Sequence, residues 1–183
     1  MTARIPILIV IASGLLTGCV TESVQTTTGR PLPPEPRNVA PAPAEAMINA
    51  MAVLKNQRPI DTNGNGFPNR LNVAVYLFSR PYPSPRHARG SLSFHYYPVG
   101  SVDPVMGASE MPLASWTFGS DILAVSAMEN IIGPGYEISL DISSVGLSSL
   151  DAAAADLVVE FLPENGAQMV RSATIQRIPF VMN

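Results

Sequence analysis

Three segments of the chain alternate apolar and polar side chains with a period of two, and no other feature restricts its fold as tightly. Residues 71–79 place Leu71, Val73, Val75 and Leu77 on one face, with Asn72, Ala74, Tyr76 and Phe78 on the other. Residues 91–97 set Leu92, Phe94 and Tyr96 against Ser91, Ser93 and His95, and residues 136–142 set Tyr136, Ile138, Leu140 and Ile142 against Glu137, Ser139 and Asp141. Successive side chains of an extended strand point to opposite faces, so each segment predicts a strand with one face on a core; the other face is mixed in residues 71–79, and polar and toward solvent in the other two. Residues 157–162 and 169–178 flank Pro163-Glu164-Asn165-Gly166, a turn sequence, and predict a hairpin. Residues 113–118 predict a further strand with Trp116 and Phe118 on one side. Six strands separated by Gly/Pro turns predict a mainly β fold, an antiparallel β-sandwich over about residues 60–183.

That layout resembles the broad immunoglobulin-like, C2-like and transthyretin-like class and small exported bacterial lipoproteins. The resemblance covers architecture only, and architecture does not confer function. Two helices are expected beside the strands. Over residues 44–57, Met47, Met51 and Leu54 fall at i, i+4 and i+7, with Glu45 early, Lys55 late and Pro59 as the stop, which predicts an N-terminal amphipathic helix against the sheet. Over residues 121–131, Leu123, Ala127 and Met128 follow Ser120, a capping residue, and predict a short helix. The folded body is expected to span residues 44–183. Apolar residues make up 46% of the chain and charged ones 14%, enough for a buried core. The formal net charge of −3 provides no cationic excess for a phosphate backbone, so no nucleic-acid partner is expected.

Arg4 is the only charge before Glu22, and an apolar run over residues 5–16 follows it, the layout of a secretory signal peptide. Twelve helical residues reach roughly 18 Å, short of the roughly 30 Å hydrocarbon core of a bilayer. The run ends in Leu16-Thr17-Gly18-Cys19, and Cys19 is the only cysteine of the chain. This resembles the lipobox of bacterial lipoproteins. The resemblance implies that Leu16, Thr17 and Gly18 are read by the signal peptidase and that residues 1–18 are removed. It also implies that Cys19 receives a diacylglycerol on its thiol and an acyl chain on its new amine. Val20 stands where many such proteins carry an inner-membrane-retaining Asp, which implies an outer-membrane address in the cell envelope. Residues 19–43 complete this N-terminal part. From residue 20 they are rich in Thr, Pro and Ala, with almost no large apolar side chain, and cannot offset their ordering entropy by burial. A semi-rigid tether with polyproline character is expected there.

Asp61-Thr62-Asn63-Gly64-Asn65-Gly66-Phe67-Pro68-Asn69 carries oxygen-bearing side chains at alternate positions and a Gly sixth. It resembles the Asp-rich calcium loops of EF-hands and thrombospondin-type-3-like repeats, with Asp61, Asn63, Asn65 and Asn69 as the implied ligands. Asp61 is its only carboxylate and position twelve is Asn72 rather than a bidentate Glu, so a calcium site here would be weak. The other reading is an Asn/Gly turn whose side chains bond their own backbone. No further cofactor is expected.

Chemistry-bearing motifs are sparse. There is no His-Glu-x-x-His pair, no complete Gly-x-Ser-x-Gly elbow and no phosphate-binding Gly loop, and no enzymatic activity is expected. Charge is segregated along the chain. Between Thr62 and Val102 stand Arg70, Arg80, Arg86 and Arg89 with no acid, while residues 90–170 hold ten acids and no Lys or Arg. Arg80, Tyr82, Arg86, His87 and Arg89 form a candidate contact surface for an anionic envelope partner: a lipid headgroup, a glycan or an acidic protein. The alternative is that these arginines pair with acids of neighbouring strands or keep an edge loop soluble. The expected function is therefore that of a membrane-anchored envelope lipoprotein with a non-catalytic binding or structural domain. An accessory subunit of an envelope export or assembly machine, and a hydrolase of envelope polymers, are the alternatives.

Overall fold

The computed structural model describes residues 40–55 and 58–180. The expected signal peptide, Cys19 with its lipobox, and the tether as far as residue 39 lie outside the described residues. In chain order the strands are β1 (Ala50–Lys55), β2 (Arg70–Phe78), β3 (Pro85–Arg86), β4 (Gly90–Pro98), β5 (Val102–Asp103), β6 (Gly107–Ala108) and β7 (Ala114–Phe118). After helix α1 (Ser120–Val125) come β8 (Ala127–Asn130), β9 (Gly133–Asp141), β10 (Ala154–Pro163), β11 (Val170–Arg171) and β12 (Gln176–Pro179). One five-stranded sheet runs β1-β2-β9-β8, with β3 beside the end of β2, and the other runs β11-β10-β4-β7, with β12 also on β10. Every pairing is antiparallel.

The alternation read in the sequence sets which face turns inward. Leu71, Val73, Val75 and Leu77 of β2 join Ile138 and Leu140 of β9 in one apolar cluster with Leu92, Phe94 and Tyr96 of β4 and Leu157, Val159 and Phe161 of β10. The two sheets thus share a single core. Trp116 of β7 meets Tyr96 edge-on at 5.1 Å between ring centroids, and its Nε1 donates to the Asp141 carbonyl at 3.1 Å. An indole on one sheet is thereby bonded to the end of a strand in the other. The second face of β2 is mixed, with Asn72 exposed and Ala74 buried. Tyr76 is buried there, close enough to Gly135 that a Cβ on that glycine would sit 2.9 Å from the Tyr76 ring.

The predicted helix over residues 44–57 is corrected: Ala50–Lys55 is a strand, paired with β2 from Ala50↔Phe78 to Lys55↔Val73. The helical stripe required Met47, Met51 and Leu54 in the core. The strand buries Met51 and Val53 instead and leaves Met47 and Leu54 exposed. In so short an apolar run both periods fit the residues, and six paired positions along β2 outweigh the local helical preference. The second predicted helix is shortened. It ends at Val125, and Ala127–Asn130 turns back as a strand along β9. Ser120 does not cap it; its hydroxyl donates to the Gly90 carbonyl at 3.0 Å and accepts from the Gly90 amide at 3.1 Å. The predicted hairpin forms around Pro163-Glu164-Asn165-Gly166, with its second arm divided into β11 and β12, both paired to β10.

The outer edges β1 and β12 are tied to each other. Gln176 Nε2 donates to the Val53 carbonyl, and Lys55 Nζ donates to the Arg177 carbonyl at 3.0 Å. Side chains thus occupy carbonyls that an open edge would offer to a foreign strand.

Asp141, at the end of β9, gathers the opposite corner. Its Oδ2 accepts from Arg70 NH2 at 2.8 Å, and its Oδ1 accepts from Asn69 Nδ2 at 3.0 Å and from the Ser143 amide at 2.9 Å. Partial burial works against its charge. The bonds from the Ser143 hydroxyl, Arg70, the Ser143 amide and Asn69 outweigh it, and the carboxyl is held down at about 2. A pKa depressed in the folded state gives stability that is present above the unfolded value near 4 and is lost as pH falls through the folded value. The melting temperature is therefore expected to fall between about pH 4 and pH 2. Asp141→Asn is expected to melt lower at neutral pH and to show a flatter profile in that window, measured by thermal denaturation across pH. An unchanged slope in the variant would contradict this role for Asp141.

Candidate functional site

The loops at one end of the two sheets converge on the segment that links β3 to β4. Pro163 of β10 pairs with Gly90 of β4, Phe118 of β7 with Leu92, and Phe78 of β2 with both Ala50 and Pro85. Residues 40–49, the loop over 79–89, helix α1, the β8–β9 turn and the β10–β11 turn all follow from those strand ends. Two open grooves flank residues 86–89. One, of about 380 Å³, runs between Ala44–Ile48 and the Pro163–Asn165 turn. The other, of about 660 Å³, has His87, Ala88 and Arg89 along one wall, Ser120, Asp121, Leu123 and Ala124 of α1 along the other, and Tyr136 and Ala127 at its base. Volumes of this size suit a small ligand or a peptide segment.

The five residues of the predicted contact surface have different occupations. Arg86 faces the chain itself: its NH1 donates to the Pro43 carbonyl at 2.6 Å and the Ala46 carbonyl at 3.4 Å, and its NH2 donates to the Ala44 carbonyl at 3.0 Å. It clamps the segment through which the chain joins the body. Asn49 completes the clamp, accepting from the Arg80 amide at 2.8 Å and donating to the Arg80 carbonyl at 3.1 Å. His87 Nε2 lies 2.9 Å from the Gly135 carbonyl, and the ring rests at 5.1 Å against Tyr136. Tyr136 in turn holds Ala88, its hydroxyl accepting from the Ala88 amide at 2.8 Å and donating to the Ala88 carbonyl at 2.9 Å. Burial pushes the Tyr136 phenol up, so it stays a neutral donor. Tyr82 is half-buried, its amide bonded to the Ser79 carbonyl at 3.0 Å.

Arg80, His87 and Arg89 are exposed, the two arginines with no partner for their guanidinium groups among the described residues, and Arg89 lines both grooves. Arg70, Arg171 and Arg177 each bond a carboxylate, at 2.8 Å from Asp141, 2.9 Å from Glu160 and 3.1 Å from Asp156. Among the described residues Arg80 and Arg89 have no acidic partner. Pairing with acids on neighbouring strands, the bland account of the arginine run, therefore holds for Arg70 alone of the four. The acids nearest the grooves are Glu45 and Glu164 in the first and Asp121 in the second, all exposed.

Asp61, Asn63, Asn65 and Asn69 lie at the opposite end, and their side-chain oxygens accept from backbone amides of their own loop. Asp61 takes the amides of Gly64 at 2.7 Å, Gly66 at 2.8 Å and Asn63 at 3.1 Å, and the Gly66 bond leads in holding its carboxyl below the usual value. Asn63 takes the Asn65 amide, Asn65 that of Phe67, and Asn69, itself buried, that of Thr62. Gly64 at φ 74 and Gly66 at φ 83 supply the left-handed turns. This is the hydrogen-bonding pattern of a self-capped Asn/Gly turn. Among the described residues no group of three or more His, Cys, Asp or Glu side chains is placed to hold a metal ion.

His95 lies on the outer face of the second sheet, with Nδ1 at 2.9 Å from Ser115 Oγ and Nε2 at 3.9 Å from Glu160, whose other oxygen is held by Arg171. The Ser115–His95–Glu160 arrangement is a cross-strand network on a sheet surface, joined by the Ser93–Thr117 hydroxyl pair at 3.1 Å. Burial lowers the His95 pKa, although Glu160 opposes this.

Neither Asn49 nor Tyr136 was singled out as part of this end by the sequence. Their partners are backbone groups, and backbone acceptors carry no residue-type signature. Among the described residues no helix is long and apolar enough to cross a membrane. No protein-family model matches the chain, and neither the curated proteins nor the solved structures searched gave a match.

Proposed function

We propose that the chain is a lipoprotein of the bacterial cell envelope, anchored by acyl chains on Cys19, sorted to the outer membrane because Val20 stands in place of a retaining Asp, and carrying a non-catalytic binding module. Its body is a β-sandwich of the immunoglobulin-like, C2-like or transthyretin-like class. The module recognises an anionic envelope partner through the end that bears Arg80 and Arg89. One observation carries the reading: these two guanidinium groups stand together at one end, exposed without a carboxylate, in a protein that pairs Arg70, Arg171 and Arg177 with acids. Of the other exposed arginines among the described residues only Arg58 is unpaired, near the opposite end. Exposed arginines at one end, with Arg89 lining both grooves, suit a partner with carboxylate or phosphate groups, because the planar guanidinium bonds both bidentately.

The roles of the arginines separate in a variant series. Arg80→Ala with Arg89→Ala is expected to leave the melting temperature unchanged and to reduce recovery of envelope partners in a pull-down. Arg86→Ala removes a charged donor from three carbonyls and is expected to destabilise the fold by about 1–3 kcal/mol. Unchanged partner recovery with the double variant would overturn the contact surface.

A further inference from the structure

The anchored reading leaves open how the body stands relative to the bilayer, and the surface chemistry of its two ends differs. The chain joins the body at the end bearing Arg80 and Arg89, where Arg86 pins the carbonyls of Pro43, Ala44 and Ala46. Three loops of that end project apolar side chains into solvent. These are Met47 before β1, Ile131 and Ile132 in the β8–β9 turn, and Met169 in the β10–β11 turn. Ile131 is wholly exposed between the uncharged Asn130 and Ile132, and the exposed Glu129 stands on the arm below the tip, paired with Pro134. A turn that spends two isoleucines on solvent, beside two unpaired arginines, matches an interface that is apolar below and phosphate-rich above.

The opposite end also has an apolar tip, Val105 and Met106 in the β5–β6 hairpin. That tip is built over a carboxylate. Asp103 Oδ1 accepts the amides of both Val105 and Met106 at 2.7 Å, and Glu110 stands directly before the exposed Met111. Inserting it would carry an ionised acid toward the hydrocarbon, which is costly. A tether over residues 20–43, at about 3.1 Å each when extended, would let either end reach the membrane. The chemistry of the ends, with the point of attachment, therefore decides the orientation.

We propose that the end carrying Arg80 and Arg89 rests on the bilayer in which Cys19 is anchored. Met47, Ile131, Ile132 and Met169 enter the interface and the two arginines meet lipid phosphates. This rests on the lipid-anchored reading above. Glu45 and Glu164 share the groove with Arg89, so the contact depends on apolar insertion and individual arginine–phosphate bonds more than on net charge.

The test uses the full-length acylated protein in vesicles of phosphatidylethanolamine and phosphatidylglycerol whose acyl chains carry bromine. A fluorophore is placed at Ile131→Cys in one sample and at Met106→Cys in another. Both positions are exposed, and the acylated Cys19 does not compete for label. Severalfold stronger quenching at position 131 than at position 106 is the expected result. Equal quenching, or stronger quenching at 106, with protein that still floats with the vesicles would overturn the orientation and leave the anchor standing. Protein that does not float would overturn both.

Discussion

Trp116→Ala is expected to cost about 3–5 kcal/mol, a large share of the roughly 5–15 kcal/mol stability of an ordinary domain. The indole is buried on an edge strand, is packed edge-on against Tyr96 and donates to the Asp141 carbonyl and to Ser144 Oγ at 3.1 Å each. Its removal opens a cavity between the sheets and deletes one of the side-chain links between them. Trp116→Phe separates these contributions. It keeps most of the packing and loses the N–H, and because Ser144 Oγ also donates to the Asp141 carbonyl, that acceptor is not left bare. A loss of about 1 kcal/mol is expected for the phenylalanine variant by denaturant titration. Equal losses in the two variants would mean that the hydrogen bond, rather than the packing, holds this corner.

Cys19→Ser, exported behind a signal that is cleaved without a lipobox, is expected to move the protein completely from the membrane fraction to the soluble fraction of the envelope. Each buried methylene contributes about 0.8 kcal/mol, one acyl chain holds only marginally and two or three anchor stably, so losing the acylation site removes the whole anchoring energy. Weak contacts from Met47, Ile131, Ile132 and Met169 do not replace it at the protein concentrations of a fractionation. A serine variant that still sedimented with membranes after a salt wash would contradict the anchoring.

The strands of the two sheet centres were legible because one face of each carries an unbroken apolar row into the core, even where, as at Tyr76, the other face is buried too. The alternation of Leu71, Val73, Val75 and Leu77, and that of Leu92, Phe94 and Tyr96, survives as the inward faces of β2 and β4. The strand over Ala50–Lys55 was not legible. Met51 and Val53 satisfy a period of two while Met47, Met51 and Leu54 satisfy the helical period, and only the partner strand β2 decides between them. Helix α1 was read too long for a related reason: Ala127 and Met128 fit its stripe but are taken up by pairing with Tyr136 and Gly135.

At the candidate site the arginine-rich run was visible as a cluster, and its division of labour was not. Arg86 and Arg89 look alike in sequence. One is spent on carbonyls of residues 43–46 that any residue type would offer, and the other stays free between two grooves. The grooves depend on five loops brought together by strand register, so they have no local signature.

The central claim is that Cys19 is the acylated first residue of the mature protein, and intact-mass measurement of material purified from bacterial membranes tests it most directly. The account predicts a chain beginning at Cys19 and heavier than its amino acids by a diacylglycerol and an amide-linked fatty acid. A chain that retains residues before Cys19, or that carries Cys19 as an unmodified thiol, would contradict it.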